Sequence, residues 1–308
     1  MRGAADACLS VLLAPPCAVC QQLLEHPSRG CVCPACWATV IRLAPPLCDR
    51  CGDPLAATRA DERALCTRCR RMPRAIDRGR AAGVYEGSLR AIVHAFKYEG
   101  RRSLAPPLAA LMRRQAEELL NGVDYAVPVP LHWRRERERG FNQASDLAHA
   151  LGLPVLHALG RVRATRTQAE LPAARRHKNV RNAFALRKPR WLVRLGPGHR
   201  GATVRQCAAP RVMLEHAALA NTTAPVDARP YEAAGMAEGA DRSRACADRR
   251  APRITDVRAV LQDACVVVVD DVSTTGATLD ACARVLKAAG AREVRALTAA
   301  RVVTRPSR

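Results

Sequence analysis

The sequence predicts a doubly wound, mainly parallel α/β sheet preceded by a small cysteine-rich module. Three observations carry that expectation. Strand-like and helix-like segments alternate from residue 80 to 152 and again from 257 to 302. The run VVVV at 266–269 is apolar without alternation, as a strand covered on both faces must be. Ten of the fourteen cysteines fall in residues 1–69, while Cys207, Cys246, Cys265 and Cys282 are scattered.

The elements follow in order. RAAGVYE (80–86) suits a short strand. In SLRAIVHAFKYEG, Leu89, Ile92, Val93 and Phe96 recur at the spacing of one helix face, with Ser88 as a candidate N-cap. A second helix fits SLAPPLAALMRRQAEELL (103–120), and DYAVPVP (124–130) reads as a strand closed by prolines. FNQASDLAHALG (141–152) is helical again. VVVVDD then leads into an amphipathic helix at GATLDACARVLKAAG (276–290) and a last strand at AREVRALTAARV (291–302). RRMPRAIDR (70–78) looks like a linker between the cysteine-rich part and the sheet. Residues 189–256 show no sustained period and read as an irregular insertion, after which the pattern resumes around Val257–Leu261.

With 308 residues and 48 % apolar content the chain can bury a sizeable core. Fifty basic against 28 acidic residues leave a formal charge of +22. Such a balance fits a polyanionic partner, nucleic acid or a phosphorylated substrate. An arginine excess with only four lysines also follows from biased genomic base composition. Aromatic residues make up 3 %, which argues against a surface built mainly on base stacking. No run approaches the roughly 18–20 apolar residues that span a membrane. CLSVLLAPP (8–16) is short and runs straight into paired cysteines, so it reads as a docking helix or strand rather than a signal peptide. A cytoplasmic location follows, where paired cysteines bind metal more often than they form disulfides.

Four CxxC pairs occupy the first 69 residues: Cys17 and Cys20, Cys33 and Cys36, Cys48 and Cys51, Cys66 and Cys69. Each pair can turn two thiolates onto one tetrahedral metal, and two pairs close a four-cysteine zinc site with no open position. Two structural Zn2+ sites paired in chain order are expected, although interleaved ligation would use the same residues. Cys31 is spare and able to replace Cys33.

VVVVDDVSTTGATL (266–279) carries the second chemical signal. A strand that ends in hydroxyls and glycine and passes into a helix presents N–H groups and a helix N-terminus to one anion. No GxxxxGK[ST] segment is present, and the loop holds no basic residue of its own. A dianionic monophosphate held by backbone and hydroxyl donors is the expected ligand. Two adjacent carboxylates beside it suit the vicinal hydroxyls of a sugar phosphate. The plainer reading is an aspartate pair capping a turn.

DDVSTTGAT resembles the phosphoribosyl-pyrophosphate (PRPP) motif of type I phosphoribosyltransferases. On that resemblance Asp270 and Asp271 take the ribose, while Ser273, Thr274, Thr275, Gly276, Ala277 and Thr278 cradle the 5′-phosphate, and Mg2+ accompanies PRPP. PVPLHWRRERERGFNQASDLA (128–148), TQAELPAARRHKNVRNAF (167–184) and AFKYEG (95–100) are similar to the ComF competence family, as is a double zinc ribbon ahead of such a domain. The resemblance implies a ribbon over 1–75 and a phosphoribosyltransferase-like domain over 79–308, interrupted at about 189–256. It places the pyrophosphate loop at Pro128, Val129, Pro130 and Leu131, followed by Arg134, Arg135 and Arg139. It places a hood over the site at Gln168–Phe184, with Arg175, Arg176, Lys178 and Arg181. Natural transformation through handling of single-stranded DNA, beside competence proteins such as a ComF-operon helicase, is the implied role. A working transferase with a nitrogen acceptor, or a PRPP-sensing regulator, would use the same site. Purine-specific members of that fold place an aromatic and a lysine late in the chain; residues 291–308 hold neither, which argues against a nucleobase acceptor, and no acceptor site or catalytic residue is assigned.

Overall fold

The computed structural model describes residues 15–55, 64–163, 180, 182–187 and 256–303. Most of the expected hood, with Arg175, Arg176, Lys178 and Arg181, lies outside the described residues, as do 8–14 and 189–255 of the expected insertion.

Two five-residue helices, α1 (Pro34–Ala38) and α2 (Thr67–Arg71), belong to the cysteine-rich part. Strand β1 (Arg78–Val84) and helix α3 (Gly87–Tyr98) follow. The Ser88 hydroxyl does not cap α3; it pairs with Thr39 Oγ1 at 2.7 Å, and Glu86 holds the N-cap position without a side-chain bond. The long helix expected over 103–120 is divided into a 3-10 turn (Arg102–Leu104), α4 (Ala105–Gln115) and α5 (Glu117–Leu120), parting at Ala116. Prolines 106 and 107 set the break at the front, because they are tolerated only in a helix's first turn.

Next come β2 (Tyr125–Pro128), α6 (Trp133–Arg139) and α7 (Gln143–Ala150). A two-stranded antiparallel sheet pairs β3 (Leu159–Arg161) with β4 (Phe184–Leu186). Val257–Leu261, where the pattern resumes, is a short helix, α8, capped by Asp256. Strand β5 (Cys265–Ser273), α9 (Ala277–Ala288) and β6 (Glu293–Arg301) complete the described chain.

The main sheet runs β1-β6-β5-β2, and every neighbouring pair is parallel. Its two faces divide the four valines between them, as strand pleating requires. Val267 and Val269 pack with Leu89, Ile92, Val93 and Phe96 of α3. Val266 and Val268 pack with Leu279, Cys282, Ala283 and Leu286 of α9. The acid pair, the 128–131 loop and the start of α9 thereby meet at the carboxyl ends of the parallel strands, where α/β sheets bind ligands.

Candidate functional site

The sulfurs of Cys17, Cys20, Cys33 and Cys36 lie within 4.8 Å of one another, and those of Cys48, Cys51, Cys66 and Cys69 do the same. The pairs therefore combine in chain order. Cys20 Sγ stands 3.8 Å from Cys33 Sγ, and Cys51 Sγ 3.7 Å from Cys66 Sγ. Zinc–sulfur bonds of about 2.3 Å give a tetrahedron with edges of about 3.8 Å, so both centres fit zinc. The residue after each first pair is left-handed, Gln21 at φ 63° and Gly52 at φ 72°. Their N–H groups close the knuckles onto Cys17 O (3.0 Å) and Cys48 O (2.7 Å). Helices α1 and α2 start directly after Cys33 and Cys66 and carry Cys36 and Cys69. Cys31 stands outside the first centre, 3.9 Å from Ser103 Oγ. In the second centre, hydrogen bonding to Cys48, then to Cys69, holds the Cys51 thiol far above the usual range, and Cys48 falls correspondingly. Thiols this close resolve that conflict by sharing a cation.

At the other site, Asp271 is buried and receives Lys97 Nζ at 2.9 Å. Burial works against the Lys97 ammonium, but the Asp271 carboxylate outweighs it and holds Lys97 above its ordinary value. Asp270 keeps part of its surface exposed, yet burial of its carboxyl, with Asp271 second, pushes it up to about 8. Lys97 and Arg161 oppose that rise. The pair thus holds one lysine-balanced carboxylate and one carboxyl poised to change charge near neutrality.

Beyond the pair, the N–H groups of Thr274, Thr275 and Gly276 have no acceptor among the described residues. Thr275 Oγ1 accepts from Ala277 N at 3.4 Å, and the Ser273 hydroxyl faces Arg301 Nη1 at 3.4 Å. Gly276 sits at φ 75°, and a Cβ there would lie 2.5 Å from Arg74 Nη1. The positive φ favours glycine here, and an added Cβ would have to displace the end of the Arg74 side chain. The loop has no basic residue of its own, but Arg74 and Arg301 are brought to it from distant chain.

The 128–131 segment continues β2 into the site: Val129 N–H donates to Val269 O at 2.9 Å, and Asn142 Nδ2 donates to Val129 O at 3.1 Å. Asn142 also caps α7 through Ala144 N. Arg139 is turned toward Gln143 Oε1 (3.1 Å) and the Tyr98 ring (5.0 Å). Trp133 is 54 % exposed, with Arg134 and Arg137 against its ring at 5.2 and 5.4 Å. Tyr98 is also exposed. Despite the low aromatic content, α6 therefore joins two exposed rings that both carry arginines.

A double zinc ribbon domain model matches residues 8–70, and a phosphoribosyl transferase domain model matches residues 220–308. DNA utilization protein YhgH of Salmonella typhimurium is 35 % identical over 187 residues, covering 56 % of this chain and 78 % of the relative. The chain belongs to the ComF family. Its similarity extends to YhgH of Escherichia coli K12, 32 % identical over 184 residues with the same coverage. Competence protein F of Haemophilus influenzae is 29 % identical over 171 residues, 52 % of this chain and 72 % of that one.

Four residues of this ComF-family site went unassigned from sequence: Lys97, Arg161, Arg74 and Arg301. Lys97 had a signal. It lies four residues after Val93 and eight after Leu89, a lysine on the apolar stripe of α3. Arg161, at the end of β3, is lowered by burial first and by Arg135 second, while Asp270 pulls the other way. Arg301 ends a strand whose last six residues are all buried, and is itself 3 % exposed. Nothing local marks Arg74.

Proposed function

We propose that the protein binds PRPP at the Asp270–Thr278 segment and handles single-stranded DNA in its DNA-uptake or DNA-utilization role. The observation that carries the reading is the Lys97–Asp271 ion pair beside a loop with three N–H groups that have no acceptor among the described residues. A lysine that already balances one acid leaves the pair as an acceptor for the two ribose hydroxyls rather than as an isolated cation chelate. Thr274, Thr275 and Gly276 present backbone donors to the 5′-phosphate, and the dipole of α9 favours its charge. Mg2+ would arrive with PRPP, whose ribose the acid pair accepts, and would supply charge neutralisation. Val129 and Pro130 would border the pyrophosphate, and Arg161, close enough to act on Asp270, would add positive charge beside it. The Trp133–Arg134–Arg137 group and the Tyr98–Arg139 pair support backbone and base contacts to a single strand, independent of sequence. The two cysteine centres are read as structural zinc.

The test pairs Asp270→Asn with Asp271→Asn in one chain. Thermal stabilisation by Mg–PRPP is expected to disappear while zinc content stays at the wild-type level; retained stabilisation refutes the ribose assignment. Titrating single-stranded DNA with and without Mg–PRPP at fixed salt then reports whether the two ligands meet at one surface.

A further inference from the structure

The second cysteine centre is tied to the phosphate loop by two arginines. From the segment between α2 and β1, Arg74 Nη2 donates to Thr275 O at 2.8 Å. Beside it, Ala75 N–H donates to Asp280 Oδ1 at 2.7 Å, fastening that segment to the buried first turn of α9. From the end of β6, Arg301 donates through Nε to Asp53, two residues past Cys51, and through Nη1 to the Ser273 hydroxyl. A small cavity between the centre and the loop is lined by Arg50, Cys51, Arg74, Ser273, Gly276 and Arg301. Arg74 Nε and Nη1 and Arg301 Nη2 are buried there without a hydrogen-bond partner among the described residues.

We propose that Arg74 and Arg301 are positioning residues for the Ser273–Thr278 loop, and that the second cysteine centre is their foundation. The inference rests on the phosphoribosyl reading of that loop. The physical argument lies in the peptide between Thr275 and Gly276. In a trans peptide the C=O and the next N–H point in opposite directions. Arg74 takes hold of Thr275 O from the ribbon side, so the Gly276 N–H is turned to the other side, where the phosphate binds. Because Arg74 Nη1 is itself buried, it does not touch the ligand; it acts through the peptide it orients and through its charge. Arg301 sets the other end of the loop through Ser273. Its own orientation comes from Asp53, within the second centre's fold. A tetrathiolate zinc site carries net negative charge, and Arg301 and Arg74 both lie close enough to act on its cysteines. Zinc held by Cys48, Cys51, Cys66 and Cys69 would fix the fold around Asp53 and Cys69, against which Arg301 and Arg74 are placed.

The experiment measures binding of ribose 5-phosphate, PRPP and inorganic pyrophosphate to the full chain. The variants are Arg74→Ala, Arg74→Lys and Asp53→Asn. Arg74→Ala is expected to weaken ribose 5-phosphate and PRPP by about tenfold. Pyrophosphate, which does not need the 5′-phosphate loop, stays within the wild-type range. Arg74→Lys keeps a donor for Thr275 O and restores most of the affinity. Asp53→Asn, which never reaches the ligand, weakens the same two probes by about threefold. Amide hydrogen exchange in residues 273–278 rises in Arg74→Ala and Asp53→Asn while 265–269 stays protected. Unchanged ribose 5-phosphate affinity in Arg74→Ala, or an equal loss for pyrophosphate, overturns the inference. Wild-type protein that binds none of the three probes overturns the phosphoribosyl reading, and this inference with it.

Discussion

The two cysteine centres have the same ligands and the same knuckle geometry, yet they join the sheet in opposite ways. In the first, Cys17, Leu24, Val32, Cys36 and Val40 belong to the apolar core that contains α3, α4 and one face of β5. In the second, Cys48, Cys51 and Cys69 form a separate cluster with Leu55 and Leu65. Polar and backbone contacts tie it to the sheet. Arg80 Nη1 reaches Asp49 O at 3.2 Å and Cys48 O at 3.4 Å, Arg301 binds Asp53, and Gly52 and Gly79 bring two backbones together. Burial is non-directional and rewards area, whereas hydrogen-bonded arginines fix position. The first centre is thus part of what folds the sheet, and the second is part of what orients a loop.

The difference is broken most severely by removing one centre at a time. Cys17→Ser with Cys36→Ser takes metal from inside the main core. That loss is comparable to the roughly 5–15 kcal/mol by which a domain is stable at all. Cooperative thermal unfolding, followed by circular dichroism, is expected to vanish or to fall far below the wild-type midpoint. Cys48→Ser with Cys69→Ser is expected to halve the zinc content, leave a cooperative transition for the sheet, and weaken ribose 5-phosphate binding. Equal midpoint losses in the two double variants would erase the distinction.

A subtler change targets the contact between the second centre and β1. A Cβ on Gly79 would lie 3.0 Å from Arg50 O, so Gly79→Val must push the knuckle away. The expected destabilisation in urea is about 1–3 kcal/mol, with weaker 5′-phosphate binding and retained zinc. A stable variant with full affinity would show that the knuckle's seat on β1 does not reach the loop.

How much of this was legible in sequence follows from how far each interaction reaches. The four CxxC pairs are local signals, and the turns between them bring ligands together over at most fourteen residues. VVVVDDVSTTGAT holds strand, acid pair, loop and helix start in one contiguous segment, so its placement could be read before any coordinates. Arg74 and Arg301 could not be read that way. Arg74 binds a carbonyl 201 positions away, and Arg301 pairs with Asp53 across 248. Neither distance leaves a periodicity. Lys97 lies between these cases. A cation on an apolar helix stripe demands a buried partner, but only the fold names Asp271 as that partner. The linker-like composition of RRMPRAIDR likewise hid its role, because Arg74 and Ala75 act through single directed bonds rather than through burial.

The smallest expected effect separates the arginines behind the loop from the acid pair in front of it. Asp270 is raised to about 8 by burial and by Asp271, with Lys97 and Arg161 opposing. None of these groups belongs to the second centre. Ribose hydroxyls and Mg2+ favour the ionised carboxylate, so binding must remove the proton that burial keeps on Asp270. Affinity for Mg–PRPP is therefore expected to rise with pH, by at most tenfold per unit for one proton, and to level off above about 8. Asp270→Asn should flatten that inflection. Cys48→Ser with Cys69→Ser should lower the whole curve and leave its inflection in place. Calorimetric titrations from pH 6 to about 9 would check both. A displaced inflection in the cysteine variant would mean that the second centre acts on the acids as well as on the loop, and that its reach extends beyond Arg74 and Arg301.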